Sequence, residues 1–365
     1  PIAITFADGT AEINDDANYY WVEGENATAA LTSDLTLASV EVDLSNDDFN
    51  DRDNIGFFGD VNNIDASGYT GNAKLTGNDK GNVITSGAGD DTLTGGDGAD
   101  TFVFGKNSGN DVVTDLTSED TLSTGNTALD TVAVEGENVV LTAGNSKITI
   151  EGAAGEGFNF QNVYTDGAIN MKVDEGEVKV DDTSDFYWVA GDNATISLSD
   201  YTAESVNVNL SNSNYNDKDN LSFFGDIQAI DATGYEGEAT LVGQGDVDNV
   251  ITGGNGSSSL WGGYGTGNDT LIGGSGADMF WYAKNNGDDV IEGAGSNDTV
   301  RLEAISLDDL KALGEDLFVG NDVKFELKDG GTLTVKDGKT NGVTYDVTGD
   351  GTQYYVDSNG EWQYK

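Results

Sequence analysis

The chain has 365 residues, enough for two or three folding units of ordinary size, and carries 66 acidic against 16 basic residues for a formal charge of −50. No cluster of Lys and Arg is left to displace the counterions of a polyphosphate, which excludes nucleic acid as a partner, and a compact state repels itself unless cations are taken up. Because neither Cys nor His occurs, disulfides, thiolate or imidazole zinc sites and nucleophile–imidazole dyads are ruled out.

The 51 Gly, the single Pro and the abundance of Thr, Val, Asn and Asp point to short strands and tight turns, hence an all-β fold. No apolar run approaches the roughly 20 residues of a membrane span, so membrane insertion is not expected. The chain opens at Pro1 without a charged start and apolar core, as expected where a signal peptide is absent or already removed.

In chain order, residues 1–18 form an N-terminal strand segment, with Ile2-Ala3-Ile4-Thr5-Phe6 expected as an edge strand. A first module then runs over 19–173, an acidic linker over 174–185, a second module over 186–345, and a strand and turn segment over 346–365. The modules are a duplication. Tyr19-Tyr20-Trp21-Val22 returns as Phe186-Tyr187-Trp188-Val189, and Phe57-Phe58-Gly59-Asp60 returns as Phe223-Phe224-Gly225-Asp226, with Ile-Asp-Ala-(Ser/Thr)-Gly-Tyr at both Ile64 and Ile230. Each copy opens with an alternating strand, Val40–Leu44 or Val206–Leu210, continues into a glycine-rich run, and ends in hairpin signals over Val139–Ile150 or Leu317–Val335. One helix is expected, capped by Ser306 and running over Leu307–Leu313.

The glycine-rich run of the first copy has a period of nine. Gly77–Thr85, Ser86–Thr94 and Gly95–Val103 follow one another without a gap in the pattern Gly-Gly-x-Gly-x-Asp-x-apolar-x. The x-apolar-x part makes a short strand whose large residue (Ile84, Leu93, Phe102) points inward. The glycine part makes a turn that aims carbonyl oxygens at one spot, and the sixth-position Asp adds a carboxylate there. A hard cation taking six to eight oxygens suits that donor set, so several Ca2+ ions are expected. The candidate ligands in copy one are Gly77, Asp79, Asn82, Gly87, Gly89, Asp91, Gly96, Gly98, Asp100 and Asp111. Successive strands alternate sides, so Asn82 should partner Asp100, and Asp91 should partner the acidic Asn110-Asp111 that follows.

Copy two is less regular. Gly253–Trp261 has Ser258 in the carboxylate position, Gly262–Asp269 contains two extra residues, and Gly273–Phe280 is intact. Its candidate ligands are Asn249, Gly254, Gly256, Gly263, Gly265, Asp269, Gly274, Gly276, Asp278 and Asp289. Asp269 with Asp289 should make the better site, and the one formed by Ser258 and Asp278 should be weaker or lost.

Over Gly77–Leu122 and Gly253–Leu302 these runs resemble the hemolysin-type calcium-binding repeats of RTX proteins. The resemblance implies two tandem modules, each holding a short parallel β-roll flanked by strands. It also implies export through a type I channel as an unfolded chain, with folding on calcium outside the cell or at the bacterial surface. The whole module resembles the repeated units of long bacterial surface proteins, adhesins and surface layers.

Asp346-Val347-Thr348-Gly349-Asp350-Gly351 reads as the start of an EF-hand loop, with Asp346 and Asp350 as ligands, or as a plain turn between strands. The recurrent Asp51/Asp53 and Asp217/Asp219 clusters read as solvated acidic turns, with calcium binding as the alternative. The Tyr20-Trp21 and Tyr187-Trp188 pairs read first as core and second as sugar-stacking rings. The functional expectation is a non-enzymatic, calcium-dependent structural protein of a fibre, surface layer, biofilm matrix or adhesin that self-associates and contacts surface or matrix polysaccharide. The alternative is a secreted carbohydrate-binding or carbohydrate-active protein.

Overall fold

A computed structural model of the chain describes residues 4–14, 19–45, 55–161, 167–181, 184, 186–211, 221–283, 286–303, 305, 317–326, 331–347, 352–357, 359 and 361–364. The segment expected as a helix and the Asp51/Asp53 and Asp217/Asp219 clusters lie outside them. The described residues are all-β, with strands and turns and no α-helix. The chain divides into two units, Pro1–Asp174 and Glu175–Lys365. Residues 174–179 correct the expectation of a linker, since they are the second half of the strand Ile169–Lys179.

Unit one is a roll of two sheets visited in turn. One sheet is parallel through Ile4–Ile13, Tyr19–Leu31, Val61–Asp65, Val83–Thr85, Thr101–Val103, Thr121–Ser123 and Gly157–Gln161. The other is parallel through Ser39–Asp43, Asn72–Thr76, Thr92–Thr94, Asn110–Val113 and Ser146–Ile150. It ends in an antiparallel meander with Asn138–Ala143 and Thr131–Glu135. Each three-residue strand turns its central side chain inward, so Ile84, Leu93, Phe102 and Leu122 are fully buried. At about 1.5–3 kcal/mol for each large side chain removed from water, this single file of apolar residues is the main favourable contribution to the roll.

Unit two repeats the plan. One sheet holds Phe186–Ser197, Ser222–Asp231, Val250–Thr252, Thr270–Ile272, Asp288–Glu292 and Thr332–Val335 in parallel. The facing sheet holds Ser205–Asn209, Glu238–Val242, Ser258–Trp261, Met279–Ala283, Thr299–Glu303 and Thr344–Val347 in parallel. Ile251, Leu260, Phe280, Ile291 and Val300 supply its axial core.

The duplicated aromatics divide between core and surface. The Tyr20 hydroxyl accepts from the Asn14 N–H at 3.1 Å, and the Tyr187 hydroxyl accepts from the Asp181 N–H at 3.2 Å, so each buried ring closes the loop before it. The Tyr of each Ile-Asp-Ala-(Ser/Thr)-Gly-Tyr lead-in is also buried; Tyr69 donates to the Leu37 carbonyl and Tyr235 to that of Ala203. Trp21 faces outward instead, 47% exposed and stacked on Phe58, and half-buried Trp188 stacks on Phe224.

Candidate calcium sites

Turns on each flank of a roll stack on the turn one full coil away, and buried carboxylates tie them together. In unit one the Asn82 N–H donates to Asp100 Oδ1 at 2.7 Å, and the Asp100 N–H donates to Asp120 Oδ1 at 2.8 Å. On the opposite flank the Ala73 N–H donates to Asp91 Oδ1 and the Asp91 N–H to Asp111 Oδ1. Unit two builds the same columns, one through Asn249, Asp269 and Asp289 and one through Ser258, Asp278 and Asp298. The four partnerships expected from the repeat spacing, Asn82 with Asp100, Asp91 with the Asn110-Asp111 pair through Asp111, Asp269 with Asp289 and Ser258 with Asp278, are therefore direct contacts.

An outer ladder runs the other way. Asn72 Oδ1 accepts from the Asp90 N–H, and Asp90 Oδ1 from the Asn110 N–H. In unit two Asp248, Asn268 and Asp288 accept in turn from the N–H groups of Asn268, Asp288 and Thr332. Each turn is thus held on both sides by side chains that do the work of a missing ladder hydrogen bond.

The second oxygen of each inner carboxylate separates the sites. Asp91 Oδ2 accepts from the Gly87 N–H, Asp278 Oδ2 from that of Gly274, and Asp298 Oδ2 from that of Gly295. Asp100 Oδ2 and Asp111 Oδ2 are buried and have no hydrogen-bond partner. A buried carboxylate oxygen without a donor is costly, and a cation beside it removes the cost. Burial, opposed by the backbone hydrogen bond each accepts, pushes the Asp289 carboxyl up to about 8, Asp111 up to about 7, and Asp100 and Asp269 up to about 6. Asp91 and Asp278 are raised as well, again through burial.

Backbone oxygens complete the donor set. A Cβ at Gly89 would lie 2.2 Å from the Gly71 carbonyl oxygen, and one at Gly109, whose φ is +97°, would lie 2.1 Å from that of Gly89. The corresponding unit-two column has Gly256 over Gly237 and Gly276 over Gly256, at 2.1 and 2.2 Å. Only glycine lets these turns nest with carbonyls aligned along the stack. Among the described residues no three acidic side chains gather at one point. Turn carbonyls must therefore join the paired carboxylates to hold an ion, and the residues fit calcium, which neutralises such carboxylates and accepts carbonyl oxygen.

The remaining expected ligands divide as follows. Gly77, Gly87, Gly96 and Gly98 in unit one, and Gly254, Gly263, Gly265 and Gly274 in unit two, all lie against the backbone of the neighbouring turn or the Asp or Asn within it. Asp79 is exposed at a turn tip, away from the buried columns. Ser258 keeps the scaffold without the charge, since its Oγ accepts from the Gly254 N–H as Asp91 Oδ2 does from Gly87. The EF-hand reading is replaced by a β-hairpin. Asp346 lies within the strand Thr344–Val347, 3.7 Å from Arg301 Nε, and the strand Thr352–Val356 returns antiparallel to it where a helix would be needed. Asp350 is outside the described residues.

Asp120 and Asp298 were missed as column members. Their signal is present, because Asp120-Thr121-Leu122-Ser123 and Asp298-Thr299-Val300-Arg301 are the Asp-x-apolar-x half of the repeat, the first without its glycines and the second after a partial glycine half, Gly293-Ala294-Gly295.

The fold and its carboxylate columns define a calcium-binding β-roll. The family model for the RTX calcium-binding nonapeptide repeat matches in four copies, over residues 67–106, 244–280 and 285–304. The chain thus carries RTX repeats, which bind calcium, are themselves non-catalytic and occur in secreted proteins. Among solved structures the chain is similar to the extracellular lipase LipA from Serratia marcescens, at 16% identity and a TM-score of 0.25, over 73% of this chain and 38% of that one. No curated protein matches the chain. Among the described residues no helix is long and apolar enough to cross a membrane.

Proposed function

We propose that the chain is an extracellular structural protein that folds when calcium fills its two rolls and then associates with further copies into a fibre or layer at the cell surface. The observation that supports it most is the pair of buried, partnerless oxygens of Asp100 and Asp111, which make an ion-free roll electrostatically unfavourable. A chain of formal charge −50 leaves the cell more readily unfolded than compact, and calcium outside reverses that preference. Duplication of a whole module, together with the absence of His and Cys, favours a building unit over a catalyst.

A calcium titration followed by circular dichroism and light scattering tests both steps. Folding should come first, and scattering should rise once the rolls are formed. Unchanged β-structure in excess chelator would remove the folding step; persistent monomers at millimolar calcium would remove assembly.

A further inference from the structure

The sheet that begins at Ser39–Asp43 in unit one, and its counterpart that begins at Ser205–Asn209 in unit two, each turn one face outward. Val42, Leu75, Leu93 and Val113 stand opposite one another along the first, as Val208, Leu241, Leu260 and Phe280 do along the second, and this register matches the outward residues of the two units. Thr94 and Thr114 of unit one, joined through their hydroxyls at 2.8 Å, correspond to Trp261 and Trp281, which are paired neighbours in unit two. Glu41 and Lys74, an ion pair at 2.6 Å, correspond to Asn207 and Thr240. Asp97, third in its nonapeptide, corresponds to Tyr264, in the repeat that holds two extra residues. Where unit one carries charges and hydroxyls, unit two carries rings and uncharged polar groups.

Both units have a cleft at the same place on this face. In unit one it measures about 450 Å³, and the Lys74–Glu41 ion pair forms part of its lining. In unit two it measures about 710 Å³, the size of a small-molecule site, and its lining includes Asn207, Glu238, Thr240, Ser257, Ser259 and Met279. Among the described residues none that lines it is basic.

The rings beside the cleft are held in place. Trp281 Nε1 donates to Ser259 Oγ at 2.8 Å, and the Arg301 guanidinium stands 4.6 Å from the centre of the Trp281 ring. Tyr264, 70% exposed, stands nearly perpendicular to Trp261 with ring centres 4.3 Å apart. Ser259 both lines the cleft and orients Trp281, so cleft and rings are continuous. Trp261 Nε1 is buried without a hydrogen-bond partner, a cost that the threonine pair of unit one avoids. The roll itself therefore does not require tryptophan here.

Hydroxyl and amide groups next to aromatic rings match a sugar, whose own hydroxyls exchange hydrogen bonds with the former and whose C–H faces lie against the latter. An anion would meet Glu238 and no described cation in the cleft, and an apolar ligand would leave the hydroxyls and amide unpaired. We propose that this face of unit two binds an uncharged saccharide chain, seated over Asn207, Thr240 and Ser259 and continuing onto Trp281, Trp261 and Tyr264. The proposal needs only a folded unit two, so its failure would leave the assembly reading untouched.

The calcium-loaded whole chain can be titrated with the neutral hexasaccharides of glucose, mannose, galactose and xylose, with galacturonic acid hexasaccharide as the anionic control, by calorimetry and tryptophan emission. At least one neutral hexasaccharide should bind and shift the emission, and the anionic one should not. Two double variants borrow the residues of unit one, whose roll already accommodates them: Trp261→Thr with Trp281→Thr, and Asn207→Glu with Thr240→Lys. Each should weaken binding about tenfold or more, read by calorimetry, with the dichroism of the folded chain retained. Trp21→Ala, which removes an exposed ring of unit one, should leave binding unchanged.

No binding of any neutral hexasaccharide, tighter binding of the anionic one, or wild-type affinity in both folded double variants would overturn the proposal. Equal loss in Trp21→Ala would do the same. If the tryptophan variant loses calcium-dependent assembly and no saccharide binds the wild type, the face is a contact between copies and the saccharide site is rejected.

Discussion

The two rolls use one hydrogen-bonding scaffold with different charges in it. On one flank of unit one, Asp91 and Asp111 are stacked; the same column in unit two begins with Ser258 and continues through Asp278 and Asp298. The N–H contacts from the glycine turn are kept in both, at 2.7 Å to Asp91 and 3.1 Å to Ser258. The turn therefore needs a side-chain acceptor to hold its shape, whereas the ion needs a carboxylate. A repeat can lose its charge and keep its fold.

Removing calcium should give the largest effect and act on both rolls. Chelation is expected to unfold most of the β-structure, since binding free energy here is folding free energy, and far-ultraviolet dichroism would report it. Unit one, with partnerless oxygens at Asp100 and Asp111, should lose protection first in hydrogen exchange as calcium falls.

Backbone nesting offers a second way to break the comparison. Gly109→Ala places a Cβ 2.1 Å from the Gly89 carbonyl oxygen at a positive φ, and should destabilise unit one by about 3 kcal/mol or more with calcium present. Gly125→Ala, also at positive φ but with no atom within 4 Å of the added methyl, should cost only about 1–2 kcal/mol. Thermal melts in calcium would separate the two.

Protonation sharpens the comparison next. Asp289, Asp111, Asp100 and Asp269 have ion-free folded values of about 8, 7, 6 and 6 against an ordinary 3.8, so the folded state binds protons more tightly than the unfolded one. Without calcium, their contribution to stability is full below pH 4 and is lost as the pH rises through about 6 to 8. With calcium the sign reverses, because the ion binds the charged form and protons compete with it. Asp289→Asn should stabilise the ion-free chain at pH 8 by about 1–3 kcal/mol and weaken calcium binding, as denaturant melts and calorimetry would show.

Ser258→Asp should have the smallest effect. It restores the carboxylate above Asp278, so calcium affinity in unit two should rise severalfold, while the ion-free chain loses up to about 1–2 kcal/mol.

Much of this was readable in advance where the physics is local. A nine-residue period with one apolar residue in phase specifies a short strand and a turn, and two such units per coil bring Asn82 to Asp100 and Asp269 to Asp289. Asp120 and Asp298 were harder to see because the turn before Asp120 lacks the glycines of the repeat and that before Asp298 keeps only Gly293 and Gly295, and stacking against Asp100 and Asp278 identifies them. Asp346 failed in the opposite direction. An Asp-x-x-Gly-Asp-Gly run suits a calcium loop or a hairpin equally, and the pairing of Thr344 with Tyr355 and Val347 with Thr352 decides for the hairpin.

Repeat period, turn chemistry and the demand for an oxygen-seeking cation were thus set by the amino-acid sequence, because each depends on residues within one or two coils. Tertiary structure alone decided which carboxylate oxygens lack a donor and which strand closes each roll. Those outcomes depend on the packing around each oxygen and on pairings at the end of a roll, where contacts join residues more than 40 positions apart and no local pattern fixes the partner.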